Sequence, residues 1–258
     1  MRLSNLLLII LVSIQFAYAK DDEYVELLWK HTTPIAYEIN FKDNPHKQEA
    51  EKGPFSEYTM VSIIKPKSDE YSIKFIMDKI GGIGTQVRAD NINLMGLLGT
   101  VQIRADVNNR GEMLSFWLDK KQANVITLMF QLPPKPVKVG DSWSVDTNLI
   151  LLDGNFICSS QYKNNSITLV EIKKVSGKRQ AVLEYNITEK VQGKFLLANI
   201  ECEMTYTGTA LFLIDEGRFE NQNLTLSVNA KGMQIDNLIQ TIDIKFLPKV
   251  PEQYLLLE

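Results

Sequence analysis

The sequence has little of the chemistry on which most metal and nucleophilic sites depend. Its 258 residues include two histidines and two cysteines. His31 lies beside Thr32 and Thr33, and His46 lies in a charged loop, so we expect both side chains to be solvated. A zinc site would need further ligands at workable spacing, and a Ser-His-Asp hydrolase needs a partnered histidine. We therefore predict no metal, no cofactor and no catalytic set of this kind.

Patterns that bind nucleotides or nucleic acids are also missing. The formal net charge is −3, without the basic runs that would form a positively charged face for nucleic acid. The run Gly81-Gly82-Ile83-Gly84 lacks the spacing and the βαβ setting of a dinucleotide fingerprint, and there is no Walker sequence. We expect no nucleic-acid partner.

One stretch comes close to a nucleophile elbow. In Gly140-Asp141-Ser142-Trp143-Ser144, a serine stands where that motif requires its last glycine, and the flanks are typical of strands. We interpret Gly140-Asp141 as a turn and expect Trp143 to enter the core, and Ser142 is not predicted to be a nucleophile.

The first nineteen residues indicate export. Arg2 precedes an apolar run from Leu6 to Phe16, and Ala17-Tyr18-Ala19 forms a cleavage site. The run is shorter than the ~20 residues that cross a bilayer. We expect cleavage between Ala19 and Lys20, no transmembrane span afterwards, and a periplasmic or secreted protein, with a bacterial source favoured.

Alternation of apolar and polar residues dominates the remaining chain and predicts β-strands with one buried face. It is clearest at Tyr37–Phe41, Tyr71–Phe75, Val101–Ala105 and Ile242–Phe246. Turn signals separate such runs at 66–69, 108–111, 153–154, 163–165, 176–177 and 215–217. Short strands with tight turns favour an antiparallel fold.

One segment departs from this alternation. Apolar residues at helical spacing predict an amphipathic helix from Asp119 to Gln131, which Pro133-Pro134 would end. The expected fold is mainly β, with curved antiparallel sheets, half-barrel or sandwich-like, and this one helix. We divide the chain into a β-rich half at 20–132, a proline-rich connector at 133–139 and a second β-rich half at 140–258. The two halves are similar to each other in the hairpins after Gly99-Thr100 and Gly208-Thr209.

Two further features leave alternatives open. The segment Gly81–Gly99 is apolar and rich in glycine, so it is either a mobile flap over an apolar cavity or a loop packed on the sheet. Cys158 and Cys202 either form a disulfide, which an exported protein can keep, or remain two separate buried thiols.

Residues 132–143, with the sequence Leu-Pro-Pro-Lys-Pro-Val-Lys-Val-Gly-Asp-Ser-Trp, resemble a known signature. It is the P-V-x-V-G-D-x-W element of a functionally uncharacterised family of exported Bacteroidetes-type β-proteins. The resemblance covers most of the chain after Lys20 and implies no particular activity. Relatives often carry a lipidated cysteine, which this chain lacks after Ala19. At the level of fold, the pattern also resembles lipoprotein-carrier half-barrels, in which a curved sheet with short helices holds an acyl chain.

These observations favour a non-catalytic envelope protein that binds an apolar or amphiphilic molecule in a groove. A module that contacts another envelope protein is the second hypothesis. The third is a hydrolase that uses carboxylates alone, which would need two such groups to converge in a pocket.

Overall fold

The fold was analysed in a computed structural model that describes residues 23–44, 57–81, 98–117, 120–232 and 235–254. The predicted leader, His46 and most of the glycine-rich segment lie outside these residues. The elements of the described part, in chain order, are β1 (Ile35–Asn44), β2 (Glu57–Pro66), β3 (Tyr71–Gly81), β4 (Val101–Val107), β5 (Met113–Trp117), α1 (Lys120–Phe130), β6 (Ser142–Trp143), β7 (Phe156–Val175), β8 (Lys178–Phe195), β9 (Ala198–Leu213), β10 (Arg218–Lys231), β11 (Ile235–Leu247) and a 3₁₀ turn (Glu252–Tyr254).

All of these strands belong to one antiparallel sheet that does not close. Their order is β5-β4-β3-β2-β1-β11-β10-β9-β8-β7-β6, so β5 and β6 form the two edges. At the centre, β1 pairs with β11, which brings Asn40 opposite Asp243. Strands from both sides of the 133–139 connector therefore share the sheet. The prediction of a mainly β, antiparallel fold with one helix is confirmed.

The two faces of the sheet differ in what covers them. We call the face on which α1 packs the inner face. It carries the larger core, which includes Tyr37, Ile39, Ile64, Ile73, Phe75, Leu183, Phe212, Phe219 and Ile244. The outer face has a small second cluster of Ala36, Val61, Ile63 and Ile76, which Tyr254 of the 3₁₀ turn covers. Successive side chains alternate between these faces, as the period of two predicts.

Helix α1 begins and ends within one residue of the predicted bounds. Ile126, Met129 and Phe130 are buried against the sheet. The Nε2 of Gln222, a fully buried inner-face residue of β10, donates a hydrogen bond to the carbonyl of Met129 over 2.7 Å. That carbonyl is one of the last four, which have no partner inside the helix, so Gln222 fixes the end of α1 to the sheet.

One end of the sheet, which we call the base, holds the β2–β3, β4–β5, β7–β8 and β9–β10 connections. The turns predicted at 66–69, 108–111, 176–177 and 215–217 are confirmed there. Residues 23–31 pack over the base: Val25 forms an isolated bridge with Val137, and the Lys30 amide donates to the Gly217 carbonyl over 3.2 Å. The opposite end, which we call the tip, carries the β8–β9 hairpin.

Three expectations were wrong. Residues 163–165 form no turn, since they lie inside the twenty-residue strand β7. Gly208-Thr209 lies within β9 and does not open it. His31 is not solvated: its ring lies 4.6 Å from that of Tyr71 and 5.4 Å from that of Trp29, between centroids. Burial lowers its pKa to about 4, because an imidazolium would lose its hydration there.

Candidate functional site

A cavity of about 800 Å³ lies between the inner face, α1 and the segment that follows β6. Its lining is mainly apolar and comes from strands on both sides of the β1–β11 pair. The lining residues are Phe41, Tyr58, Met60, Met77, Gln102, Ile103, Asn124, Val125, Leu128, Met129, Asn148, Leu149, Leu151, Met204, Tyr206, Leu226, Gln240 and Ile242. None of them is charged, and the polar ones are four amides and two phenols. The volume is that of a typical small-molecule pocket.

A second cavity of about 400 Å³ continues from the first toward the tip. The two share Leu149, Leu151 and Met204 as lining residues. The outer one is lined further by Ile150, Leu152, Asp153, Phe156, Val191, Phe195, Ile200, Cys202, Val228 and Ala230. Among the described residues of this lining, Asp153 is the single charged one. We call the two contiguous cavities the groove.

Aromatic side chains close the groove at the base. Phe130 and Phe219 are fully buried, and each lies 5.7 Å from Trp29 between ring centroids. Phe75 is also fully buried and lies 6.0 Å from Phe130. Such edge and tilted ring contacts add to the stabilisation that their burial provides. The base end is therefore solid core.

Toward the tip, the apolar side chains become exposed. Leu151, Leu152 and Phe195 border the outer cavity and are exposed by 38 to 41%. Beyond them, Leu196 and Leu197 form the β8–β9 turn and are exposed by 76% and 101%. The groove thus runs from a closed base to a partly exposed, apolar tip.

The segment 144–155, which we call the strap, connects β6 to β7 and forms one wall of the groove. Polar groups of β7 hold it on the inner face. The Asn165 amide donates to the carbonyls of Val145 and Thr147 over 2.9 and 3.0 Å, and the Lys163 ammonium donates to the carbonyl of Thr147 and to Asn148. These contacts explain why 163–165 is strand although its polar residues resemble a turn.

Glu189 of β8 holds the outer part of the strap. Its residue surface is 1% exposed, and its carboxylate accepts the Ile150 amide over 3.0 Å and the Gln161 side chain over 3.1 Å. A buried carboxylate is costly unless hydrogen bonds compensate it. Replacement of Glu189 by an apolar residue would release the strap where it crosses from the inner cavity to the outer one.

Helix α1 and the strap are also joined directly. The Asn124 amide donates to the carbonyl of Asn148 over 2.6 Å. Both residues line the inner cavity. The side chain of Asn124 therefore links the two structures that cover the groove.

Behind the wall of the inner cavity, the hydroxyl of Tyr206 has no hydrogen-bond partner among the described residues. The residue is 2% exposed, and its ring lies 6.2 Å from that of Tyr185, whose hydroxyl is equally unpartnered. Burial raises the pKa of Tyr206 well above its ordinary value, so the hydroxyl keeps its proton. Tyr206 lines the cavity, but its hydroxyl oxygen is buried and does not face the open space.

Both cysteines are free thiols, so the Cys158–Cys202 disulfide is not formed. Strand β8 lies between β7 and β9, which carry them. At about 4.8 Å between neighbouring strands, the two are too far apart for a disulfide. Cys158 is exposed, whereas Cys202 lines the outer cavity. Burial, together with the nearby Glu189, raises the pKa of the Cys202 thiol.

The residues of the near-miss nucleophile elbow have structural roles. Gly140-Asp141 forms the expected turn, in which the Asp141 carboxylate accepts the Lys138 amide over 3.0 Å. Trp143 is buried in the core as predicted. The Ser142 hydroxyl lies 2.8 Å from that of Thr168, on the exposed edge of the sheet. The described residues contain no group of three or more histidine, cysteine or acidic side chains that could hold a metal ion.

Comparison of the chain with protein-family models, curated proteins and solved structures finds no significant match. In the described part of the chain, none of the helices combines the length and apolar character needed to span a membrane.

Sequence reasoning missed the strap and the side chains that hold it. The signal for the strap in the sequence was the apolar run Leu149-Ile150-Leu151-Leu152. No neighbouring stretch of sequence indicated a strand with which this run would pair. It also missed Tyr206 and Glu189, because each occupies an inward position in an otherwise ordinary alternating strand. Their importance depends on which residues face them across the groove.

Proposed function

We propose that the protein binds an apolar or amphiphilic molecule in the groove without chemically changing it. The observation that carries this proposal is the pair of contiguous cavities, which share Leu149, Leu151 and Met204 and have a largely uncharged, apolar lining. Apolar ligands gain free energy in proportion to the area that they remove from water. The proposed setting is the periplasm or the exterior of a bacterial cell, in line with the leader-like first nineteen residues.

The polar groups of the lining favour an amphiphile over a pure hydrocarbon. The described lining of the inner cavity includes four amides, Gln102, Asn124, Asn148 and Gln240. The single charged residue of the described lining, Asp153, lies near the exposed end, where its carboxylate accepts the Asn155 amide over 2.8 Å. A chain-like ligand with one polar group beside these amides would place the rest of its length along the apolar walls.

The direct test is titration of the mature chain with a fluorescent fatty acid, combined with native mass spectrometry of protein purified from its own host. We expect saturable binding and a co-purifying amphiphile. Absence of both would contradict the proposal.

A matched pair of variants tests whether the ligand binds in the groove. Met204 lies where the two cavities meet, so Met204→Trp should fill the junction and lower affinity for the fatty acid at least tenfold, which corresponds to about 1.4 kcal/mol. Thr207 is an exposed residue of the same strand with its side chain on the outer face, so Thr207→Trp should bind normally. Equal affinity in both variants would place the ligand elsewhere.

The two thiols provide a second test without added bulk. In a Cys158→Ser variant, Cys202 is the single cysteine of the chain, and it lines the outer cavity. A ligand that fills the groove should slow its reaction with a maleimide. A Cys202→Ser variant, which keeps the exposed Cys158, should react at the same rate with and without ligand. A Cys202 rate that is unaffected by saturating ligand would exclude occupancy of the outer cavity.

A second candidate function is a protein-interaction module at the edge strand β5. Leu114, Phe116 and Trp117 are exposed by 52%, 48% and 67% there, and the free side of an edge strand can pair with another chain. Crosslinking in cells from a photoreactive residue at position 114 tests it. Failure to capture a specific partner would argue against this function and would leave the groove proposal unaffected.

A further inference from the structure

The β8–β9 hairpin ends in two leucines that face solvent. Leu196 and Leu197 are exposed by 76% and 101%, and the neighbouring Ile157 of β7 by 72%. Water-exposed hairpin turns ordinarily use glycine, asparagine or aspartate. The opposite end of β8 follows that rule, since its turn is Ser176-Gly177. The apolar turn is therefore particular to the tip.

The turns at both ends of β8 place a residue other than glycine in the left-handed region, Ser176 at the base with a φ of +51° and Leu196 at the tip. Leu196 has a φ of +54°, in the left-handed region that bulky side chains rarely adopt. Asparagine or glycine would fit this position with less strain. The tip thus combines an unfavourable backbone conformation with apolar exposure, and residues of that kind cluster at functional sites.

The exposed tip continues directly into the groove. Phe195 precedes the turn and lines the outer cavity, together with Phe156 and Ile200. Leu152 of the strap borders the same cavity and is 41% exposed. An acyl chain that leaves the groove at this end would pass along these apolar side chains toward the turn.

The charges around the tip suit a lipid surface. Residues 195–198, Phe-Leu-Leu-Ala, contain no charged side chain. The exposed Lys194 immediately precedes them and lies opposite Ile157 in the ladder. A lysine beside an apolar insertion can extend its ammonium to lipid phosphates while its stem stays in the apolar layer.

We propose that the hairpin tip inserts Leu196 and Leu197 into a lipid bilayer and so places the outer end of the groove at the membrane surface. The insertion stands on the exposed leucines and the adjacent Lys194, whereas its use for transferring an amphiphile rests on the proposed function. Two leucines bury less than one lipid anchor, which itself binds membranes only weakly and reversibly. The contact is therefore transient.

The test is co-flotation of the mature chain with vesicles of phosphatidylethanolamine and a minority of phosphatidylglycerol. The double variant Leu196→Asn/Leu197→Ser removes the apolar tip and keeps a residue that tolerates the positive φ. We expect it to lower the vesicle partition coefficient at least about tenfold, from the apolar area lost. The matched control, Leu114→Asn/Trp117→Ser, removes two exposed apolar residues from β5 and should leave partitioning unchanged.

The fatty-acid titration without vesicles separates this inference from the proposed function. A tip variant that loses vesicle binding but keeps fatty-acid affinity and thermal stability supports the insertion. The insertion is overturned if the unaltered chain does not bind vesicles, or if the tip and β5 variants lose vesicle binding equally. It is also overturned if the tip binds a protein and does not bind lipid. If the unaltered chain floats with vesicles but does not bind the fatty acid, the insertion holds and the proposed function fails.

Discussion

The base and the tip of this sheet are built from the same strands, but the base buries its apolar side chains and the tip exposes them. At the base, polar turns such as Ser176-Gly177 join the strands, and residues 23–31 cover rings of Phe130 and Phe219 that are inaccessible to water. At the tip, Leu196 and Leu197 face solvent and the cavities begin. The difference indicates that stability is concentrated at the base, which leaves the tip free to carry a functional surface that does not favour folding.

The largest expected difference between the two ends is in the loss of stability when an apolar side chain is shortened to alanine. Phe130→Ala should lower the free energy of unfolding by about 3–5 kcal/mol, because it leaves a cavity among Trp29, Tyr37 and Phe75. Leu197→Ala should change it by less than about 0.5 kcal/mol, since the side chain is fully exposed. Urea denaturation measures both. Similar losses at the two positions would refute the contrast.

The next largest effect tests how residues 23–31 are held at the base. Gly217 has a φ of +62°, and a Cβ there would lie 2.5 Å from the Lys30 amide nitrogen. Gly217→Ala should therefore cost about 2–3 kcal/mol of stability. Gly177 has a φ of +82° with open space around it, so Gly177→Ala should cost about 1 kcal/mol from backbone strain alone. Equal losses of stability for the two substitutions in thermal unfolding would mean that close packing of Gly217 against Lys30 does not hold residues 23–31 at the base.

A pH dependence sharpens the comparison, because the buried histidine lies at the base. His31 has a pKa of about 4 in the folded chain and an ordinary value near 6.5 when unfolded. The unfolded chain thus binds more protons between these values, and stability falls as the pH is lowered from about 6.5 to about 4. Urea midpoints at pH 7 and pH 4.5 should differ less in His31→Gln than in the unaltered chain. An unchanged difference would show that His31 is accessible to water.

The smallest effect has the opposite sign and concerns the tip. Leu196→Asn should raise stability by up to about 1 kcal/mol, because asparagine tolerates the left-handed conformation better than leucine does. Differential scanning calorimetry would register a small rise in the melting temperature. A destabilised variant would mean that Leu196 makes contacts that favour folding, and the tip would then resemble the base.

Local features of the fold followed from the sequence. Alternation located parts of β1, β3, β4 and β11, and helical spacing with Pro133-Pro134 placed α1 within one residue at each end. These predictions succeeded because they depend on neighbours in sequence, where side-chain direction repeats every two or every 3.6 residues.

The groove could not be predicted in the same way. Its walls depend on pairing between distant segments, such as Phe41 opposite Ile242, and on the polar side chains that attach the strap. Asn165 resembles a turn residue until its amide is seen to bind Val145 and Thr147. The burial of His31 was missed for the same reason. Its neighbours in sequence are polar, whereas in the structure its ring lies against the rings of Trp29 and Tyr71.

The central position of the β1–β11 pair has a consequence for how the protein folds. The two wings of the sheet, β2 to β5 and β7 to β10, can each assemble from hairpins that are local in sequence. The ladder that joins them closes one of the largest loops in the chain, with Asn40 against Asp243, and loop closure of this kind slows folding. Tyr58 and Tyr206 line one cavity from opposite wings, so ligand binding should develop only in the final, slow phase of refolding.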